Sequence, residues 1–110
     1  MNEDAYRASR IFRALGNPLR YRILACLAAS PATPGELAGS LRRPVFTISH
    51  HLALLRALDL VWYLPLKESH RYFVKYYDLS VLLQVAERCV EKVREQGPDD
   101  SILKLPRIFG

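Results

Sequence analysis

The stretch Thr33–Arg56, TPGELAGSLRRPVFTISHHLALLR, decides how the chain is read. Thr33-Pro34-Gly35-Glu36 has the form of a capping box, in which the Thr hydroxyl accepts from an early backbone N–H and Glu36 reaches back to the cap. Pro34 suits the first helical position, where its missing N–H costs nothing. Leu37, Ala38 and Leu41 then share one helical face. Arg42-Arg43-Pro44 interrupts the period. A residue before proline is pushed out of the helical region, so Arg43 is predicted in a turn and Pro44 in the first turn of a second helix.

That second helix has two faces. At about 100° per residue, Ile48, Leu52 and Leu55 line one side, and Val45 lies close enough to support them. The other side carries Phe46, His50 and Ala53, flanked by Thr47 and Ser49. Small and polar groups can approach base edges, and an aromatic ring or a Thr methyl can touch a thymine methyl. The pair is therefore read as a helix-turn-helix, with Phe46, Thr47, Ser49 and His50 as candidate base contacts. A plainer role is packing of Phe46 on a neighbouring element, with the polar groups merely solvated.

The totals agree with a polyanionic partner. The chain has 110 residues and a formal net charge of +5, and a sequence pI near 9.5. That length suits one domain with a modest core. Between Arg42 and Lys75 there are six basic residues against two acidic ones, so the excess sits around the two helices. No secretory leader and no apolar run long enough for a bilayer is legible, and two distant cysteines do not make a disulfide framework. The cytoplasm is the expected compartment.

Around this centre the rest of the chain falls into place. A helix is expected from about Glu3 to Leu15, capped by Asn2, with Ala8, Ile11, Phe12 and Leu15 as its apolar stripe and Gly16 as a C-terminal cap. Asn17-Pro18 opens another, with Leu19, Ile23, Cys26 and Leu27 on its buried face. After Arg56, the β-formers of 60–66 and 71–77 flank Lys67-Glu68-Ser69-His70, which predicts a hairpin. Pro65 cannot donate to a ladder and marks an edge. A hairpin after such a helix is a wing, and Lys67, His70 and Arg71 at its tip could reach phosphates, together with Arg42, Arg43 and Arg56. A solvated turn with ordinary charges is the plainer alternative. Asp78 is expected to cap a last helix to about Gln96, with Leu79, Leu82, Leu83, Ala86, Val90 and Val93 at helical spacing. The architecture expected is mainly α with a β-hairpin wing, α-α-α-α-β-β-α, over residues 1–97, followed by an apolar tail over 98–110. The first and last helices offer a dimer surface; a two-fold dimer would present two such helices to successive major grooves of a palindromic site.

These residues also carry a resemblance. Ala14-Leu15-Gly16-Asn17-Pro18-Leu19-Arg20-Tyr21-Arg22-Ile23-Leu24 resembles the entry motif of the ArsR/SmtB family of prokaryotic winged-helix regulators, Thr47-Ile48-Ser49-His50-His51-Leu52-Ala53-Leu54-Leu55-Arg56 its recognition helix, and Arg71–Tyr76 its wing strand. The resemblance spans residues 12–77. It implies a homodimeric repressor that leaves its operator when an inducer binds, with Thr47, Ser49 and His50 contacting bases and His51 structural. Two departures stand out. The family usually has glycine near Arg42 and a serine cap near Pro44, so Arg42 is expected in a strained turn costing on the order of 1 kcal/mol. Phe46 replaces a usually small or polar residue.

Many relatives sense metals, through a Cys-x-Cys motif on the third helix or Asp, His and Glu on the last. Neither motif is present here. Glu87, Glu91 and Glu95 share a helical face that could offer oxygens to a hard cation; a solvated face beside Arg88, Lys92 and Arg94 is the simpler account. No metal or other cofactor is expected. Some relatives sense oxidants through cysteines in the second and last helices, where Cys26 and Cys89 fall; Cys26 on a core stripe would more simply be a small hydrophobe. Ser49 and His50, adjacent on a helix, cannot act as nucleophile and base, and no phosphate-cradling loop or metalloprotease motif occurs, so no enzyme is expected. The alternative function is a winged helix used for protein contact without specific DNA binding.

Overall fold

Each of the first three helices starts on a side chain that answers its orphan N–H groups. In the computed structural model, which describes residues 2–96, Asn2 accepts from the Ala5 N–H at 2.7 Å and opens α1 (Glu3–Leu15). Asn17 accepts from Arg20 N–H at 3.0 Å and opens α2 (Pro18–Ala29), with Pro18 in its first turn. Thr33 and Glu36 close the expected capping box at the head of α3 (Pro34–Leu41), at 3.2 Å and 2.9 Å. The helix α4 (Val45–Ala57) follows, then the strands β1 (Val61–Pro65) and β2 (His70–Val74), and α5 (Tyr77–Gln96). Among the described residues, five helices and one antiparallel hairpin make a mainly helical winged helix-turn-helix.

The chain divides into two compact units, Met1–Ser80 and a second from Val81 onward. In the first unit α1 packs on α2, α3 on α4, and α2 touches α3, α4 and β2. Its core is aliphatic: Ile23, Leu24, Leu37, Ile48, Leu52, Leu55 and Val61 are wholly buried. β1 and β2 pair from Val61 opposite Val74 to Pro65 opposite His70. A contact that the sequence did not announce anchors the hairpin: Ala32 and Tyr72 exchange backbone hydrogen bonds of 3.0 Å and 2.8 Å, tying β2 to the segment before α3. In the second unit the described part of α5 buries Leu83 and leaves Val85, Val90 and Val93 exposed. No helix of the described residues is long and apolar enough to cross a membrane. The tail over 98–110 lies outside the described residues.

Several local expectations are corrected. Pro44 is the N-cap of α4, with extended ψ of 141°, not a residue of its first turn; the chain uses the extended step to reverse after Arg42. Val45 is 51% exposed and supports no core stripe, because the first turn of the helix is left uncovered on that side. Gly16 ends α1 in the right-handed region (φ −71°), so its glycine freedom is not used. On α1 the only buried residue is Ala14, while Ala8 and Phe12 of the expected stripe are exposed, Phe12 at 60%. Cys26 is half-buried, and the core face of α2 turns instead through Leu24. Asp78 sits inside the first turn of α5, which begins at Tyr77. The strands are shorter than the β-rich runs: His70 belongs to β2 and the turn is confined to residues 66–69.

Candidate nucleic-acid interface

Helix α4 is held by one face and open on the other. Ile48, Leu52 and Leu55 are fully buried, and burying such side chains contributes about 1.5–3 kcal/mol each. Phe46, Ser49, His50 and Ala53 are exposed, and Thr47 is half-buried. Phe46 is 82% exposed, so it packs on no neighbouring element of the chain. The ring is thus left open to solvent. His51 is half-buried, and its Nδ1 has no hydrogen-bond partner. Desolvation, with lesser help from the charges of Arg20 and His50, lowers its pKa.

The turn into α4 is the predicted strained one. Arg42 stands at φ 55°, ψ 52°, in the left-handed region where glycine is the usual occupant. Arg43 N–H closes the turn onto Ala38 O at 3.1 Å. Both arginine side chains are exposed at the head of α4. No side chain caps α4, which leaves N–H groups of its first turn open to an outside acceptor.

The turn out of α4 has the same form and a different side chain. Asp59 adopts φ 62°. Its N–H donates to Arg56 O at 2.9 Å, and Leu60 N–H donates to Leu55 O at 3.0 Å, the pairing of a Schellman end. The Asp59 carboxylate accepts from Lys75 Nζ at 2.6 Å and from Tyr76 Oη at 2.5 Å. The Lys75 bond, then the Tyr76 bond, hold its pKa below the ordinary carboxylate value, and the Lys75 pKa is raised by the same pair.

The wing carries an aromatic ladder. Trp62 stacks on Tyr63 with centroids 5.3 Å apart, and Tyr63 lies 4.2 Å from the His70 ring. The Arg56 guanidinium sits 5.2 Å from the Tyr63 ring centroid and 5.9 Å from that of Trp62. Arg56 is therefore not a loose arm: the hairpin aromatics orient it beside α4. His70 is a strand residue against Tyr63 rather than part of the tip. Lys67 lies in the exposed turn, and Arg71, exposed in β2, pairs opposite Leu64. The field of Arg71 also reaches Glu36, where hydrogen bonds from the Thr33 backbone and side chain lower the carboxyl pKa most.

Phe46, Ser49 and His50 are thus exposed on α4, Arg42 and Arg43 are exposed in the turn at its head, and Arg56 lies against the wing aromatics. Sequence reasoning missed Asp59, Lys75 and Tyr76 as the clasp between helix and wing; an acid directly after the helix was the available signal. Cys26 and Cys89 are free thiols, half-buried and exposed respectively. Glu87, Glu91 and Glu95 are exposed, and no group of three or more potential ligands among the described residues is placed to hold a metal ion.

A helix-turn-helix domain family model matches residues 15–61, from the end of α1 to the start of β1. Comparison with curated proteins gives no match. Among solved structures, HlyU from Vibrio cholerae N16961 is 25% identical, with a TM-score of 0.75, covering 81% of this chain and 97% of that one. NolR from Sinorhizobium fredii is 26% identical, with a TM-score of 0.73 and coverage of 79% and 87%. Mb0332 from Mycobacterium bovis, described as a homodimeric winged helix-turn-helix DNA-binding domain and a possible ArsR-family regulator, is 21% identical, with a TM-score of 0.77 and coverage of 86% and 88%. This chain shares its fold with these solved structures. Matched domain and shared architecture agree: the chain contains a helix-turn-helix domain set in a winged helix-turn-helix fold.

Proposed function

We propose that the protein is a homodimeric, sequence-specific DNA-binding repressor acting in the cytoplasm, released from its operator by a signal. The observation that carries this reading is the exposed face of α4, Phe46 with Ser49 and His50, opposite a face that is wholly buried. Thr47 at its edge completes the candidate base-contacting set. Arg42, Arg43, Arg56, Lys67, His70 and Arg71 are the backbone and wing contacts, and the uncapped first turn of α4 can donate to a phosphate. The uncovered apolar side chains of α1 and α5, Phe12, Val90 and Val93, support pairing of two copies through these helices. A two-fold pair would read a palindromic operator. The candidate signal from the chain's own chemistry is oxidation of Cys26 and Cys89.

The test is fluorescence-anisotropy binding to the duplex upstream of the protein's own gene, against random duplex and across a salt series. His50→Ala should weaken discrimination between the two duplexes, whereas Arg71→Ala should weaken binding to both. Equal loss on both duplexes for both variants would refute that division of roles. Treatment with a mild thiol oxidant, then reductant, checks the thiol signal; binding unchanged by oxidation removes it. The exposed Leu64 and Leu66 of the wing favour a second reading, a winged helix for protein contact. It predicts no preference for any duplex over random DNA.

A further inference from the structure

Helix α1 has a second face that the regulator reading does not use. At about 100° per residue, Ala8, Ile11, Phe12 and Leu15 lie on one side of the helix, and Tyr6, Arg10 and Arg13 on the other. That other side borders a cleft of about 360 Å³, closed by Arg20 at the start of α2 and by Leu54, Ala57 and Leu58 at the end of α4. A volume of this order holds a small molecule.

The cleft is strongly basic and has no internal counter-charge. Three guanidiniums line it, and no acidic side chain does. Among the described residues, the ion pairs are Arg7 with Glu3 and Lys75 with Asp59, and neither involves a cleft arginine. Arg20 is pre-set: its Nε donates to Ala14 O at 3.1 Å, which fixes the plane of a half-buried guanidinium. Arg10 lies 6.0 Å from the Tyr6 ring centroid. Like charges gathered in one concavity repel, and an anion with several oxygens relieves that repulsion while accepting from forked donors. Leu54, Ala57 and Leu58 give the cleft an apolar wall, beside which charge attraction is less screened than in open water.

We propose that this cleft binds a compact polyanion, a phosphorylated or polycarboxylate small molecule, and that its occupancy is the signal read by α4. The regulatory half rests on the DNA-binding reading; the binding half does not. Leu58 lies about 18 Å along the helix from Phe46, at about 1.5 Å per residue, so the ligand touches the base of α4 without occupying its exposed face. The cleft face of α1 is also separate from its apolar stripe, so a dimer formed through the stripe leaves the cleft open.

Two measurements test this on the full chain. Calorimetric titration with pyrophosphate, and separately with citrate, at matched ionic strength should give saturable binding, weakened at least about tenfold (~1.4 kcal/mol) in Arg10→Gln/Arg13→Gln. Both positions are exposed, and Arg88→Gln, outside the cleft, should bind as the unaltered protein does. A preference for pyrophosphate assigns the ligand to phosphorylated compounds, and a preference for citrate to polycarboxylates. Absence of saturable binding, or binding that survives the double substitution, overturns the site. Anisotropy with the protein's preferred duplex should then show a change in affinity on adding the tighter anion, absent in the double variant. Specific DNA binding that ignores a bound anion overturns the regulatory role alone. Loss of duplex affinity in the double variant without any anion binding overturns the proposal and makes these arginines phosphate contacts. A protein that takes pyrophosphate or citrate through Arg10 and Arg13 yet prefers no duplex overturns the DNA-binding reading and supports the site.

Discussion

Two turns bracket α4, and both close through a non-glycine residue in the left-handed region, Arg42 before the helix and Asp59 after it. In both, the following N–H reaches back five residues, Arg43 to Ala38 and Leu60 to Leu55. The backbones are near-equivalent and the side chains are not. Asp59 suits this conformation better than most residues and turns its carboxylate to Lys75 and Tyr76. Arg42 has no such propensity, and among the described residues no hydrogen bond or ion pair engages its guanidinium. A strained position compensated by local bonds is structural. A strained position whose own side chain gains no such bond among the described residues leaves a bare charge at the head of an exposed helix, open to a contact outside the molecule.

The largest expected effect separates the two turns by their partners. Arg42→Glu should lower affinity for any duplex by about tenfold or more at low salt and flatten the salt dependence, while thermal stability hardly moves. Asp59→Asn should leave duplex affinity unchanged. Anisotropy titrations and melting curves on the same samples check both halves, and equal affinity losses would remove the distinction.

Next in size is the fold itself. Asp59→Ala loses the clasp and places a less tolerant residue at positive φ, so its melting temperature should fall further than that of Arg42→Ala. The effect depends on pH. Because the folded Asp59 carboxyl has a depressed pKa, its stabilisation is present above the ordinary carboxylate range and is lost as pH falls through the depressed value. The gap between the unaltered protein and Asp59→Asn should therefore close in acid, as chemical denaturation from pH 7 to pH 3 would measure (roughly the window set by ordinary carboxylate values). A gap independent of pH would mean that the carboxylate charge contributes nothing.

The smallest effect runs in the opposite direction. Arg42→Gly relieves the left-handed penalty and should raise stability by about 1 kcal/mol, a few degrees in melting temperature, while weakening duplex binding. Asp59→Gly should not stabilise, because relief of strain there is offset by the broken clasp. If both glycine variants stabilise equally, the clasp is only decorative.

Much of this arrangement was legible in the sequence, and the reasons differ by element. The caps Asn2, Asn17 and Thr33 with Glu36 were readable because a cap is satisfied within three residues of itself. The buried stripe of α4 followed from spacing alone. The misreadings fall where two local solutions compete. Proline fits both the cap and the first turn of a helix, and Pro44 took the cap because Arg42 had already reversed the chain. Gly16 marked a helix end without needing positive φ. Val45 and Phe12 were apolar and in period, yet period states only which residues share a face and not whether another element covers it.

The sequence by itself determined where α1, α2 and α3 begin, that α3 and α4 each carry an apolar face and that a hairpin follows α4, because backbone hydrogen bonding and side-chain period are set within a few residues. Only the tertiary structure decided that Ala32 would pair with Tyr72, that Asp59 would clasp Lys75 and Tyr76, and that Arg10, Arg13 and Arg20 would line one cleft with the end of α4. Those contacts join different elements of the chain. They exist because burial of the aliphatic core brings the elements together, and side-chain spacing along one segment carries no record of what another segment will set beside it.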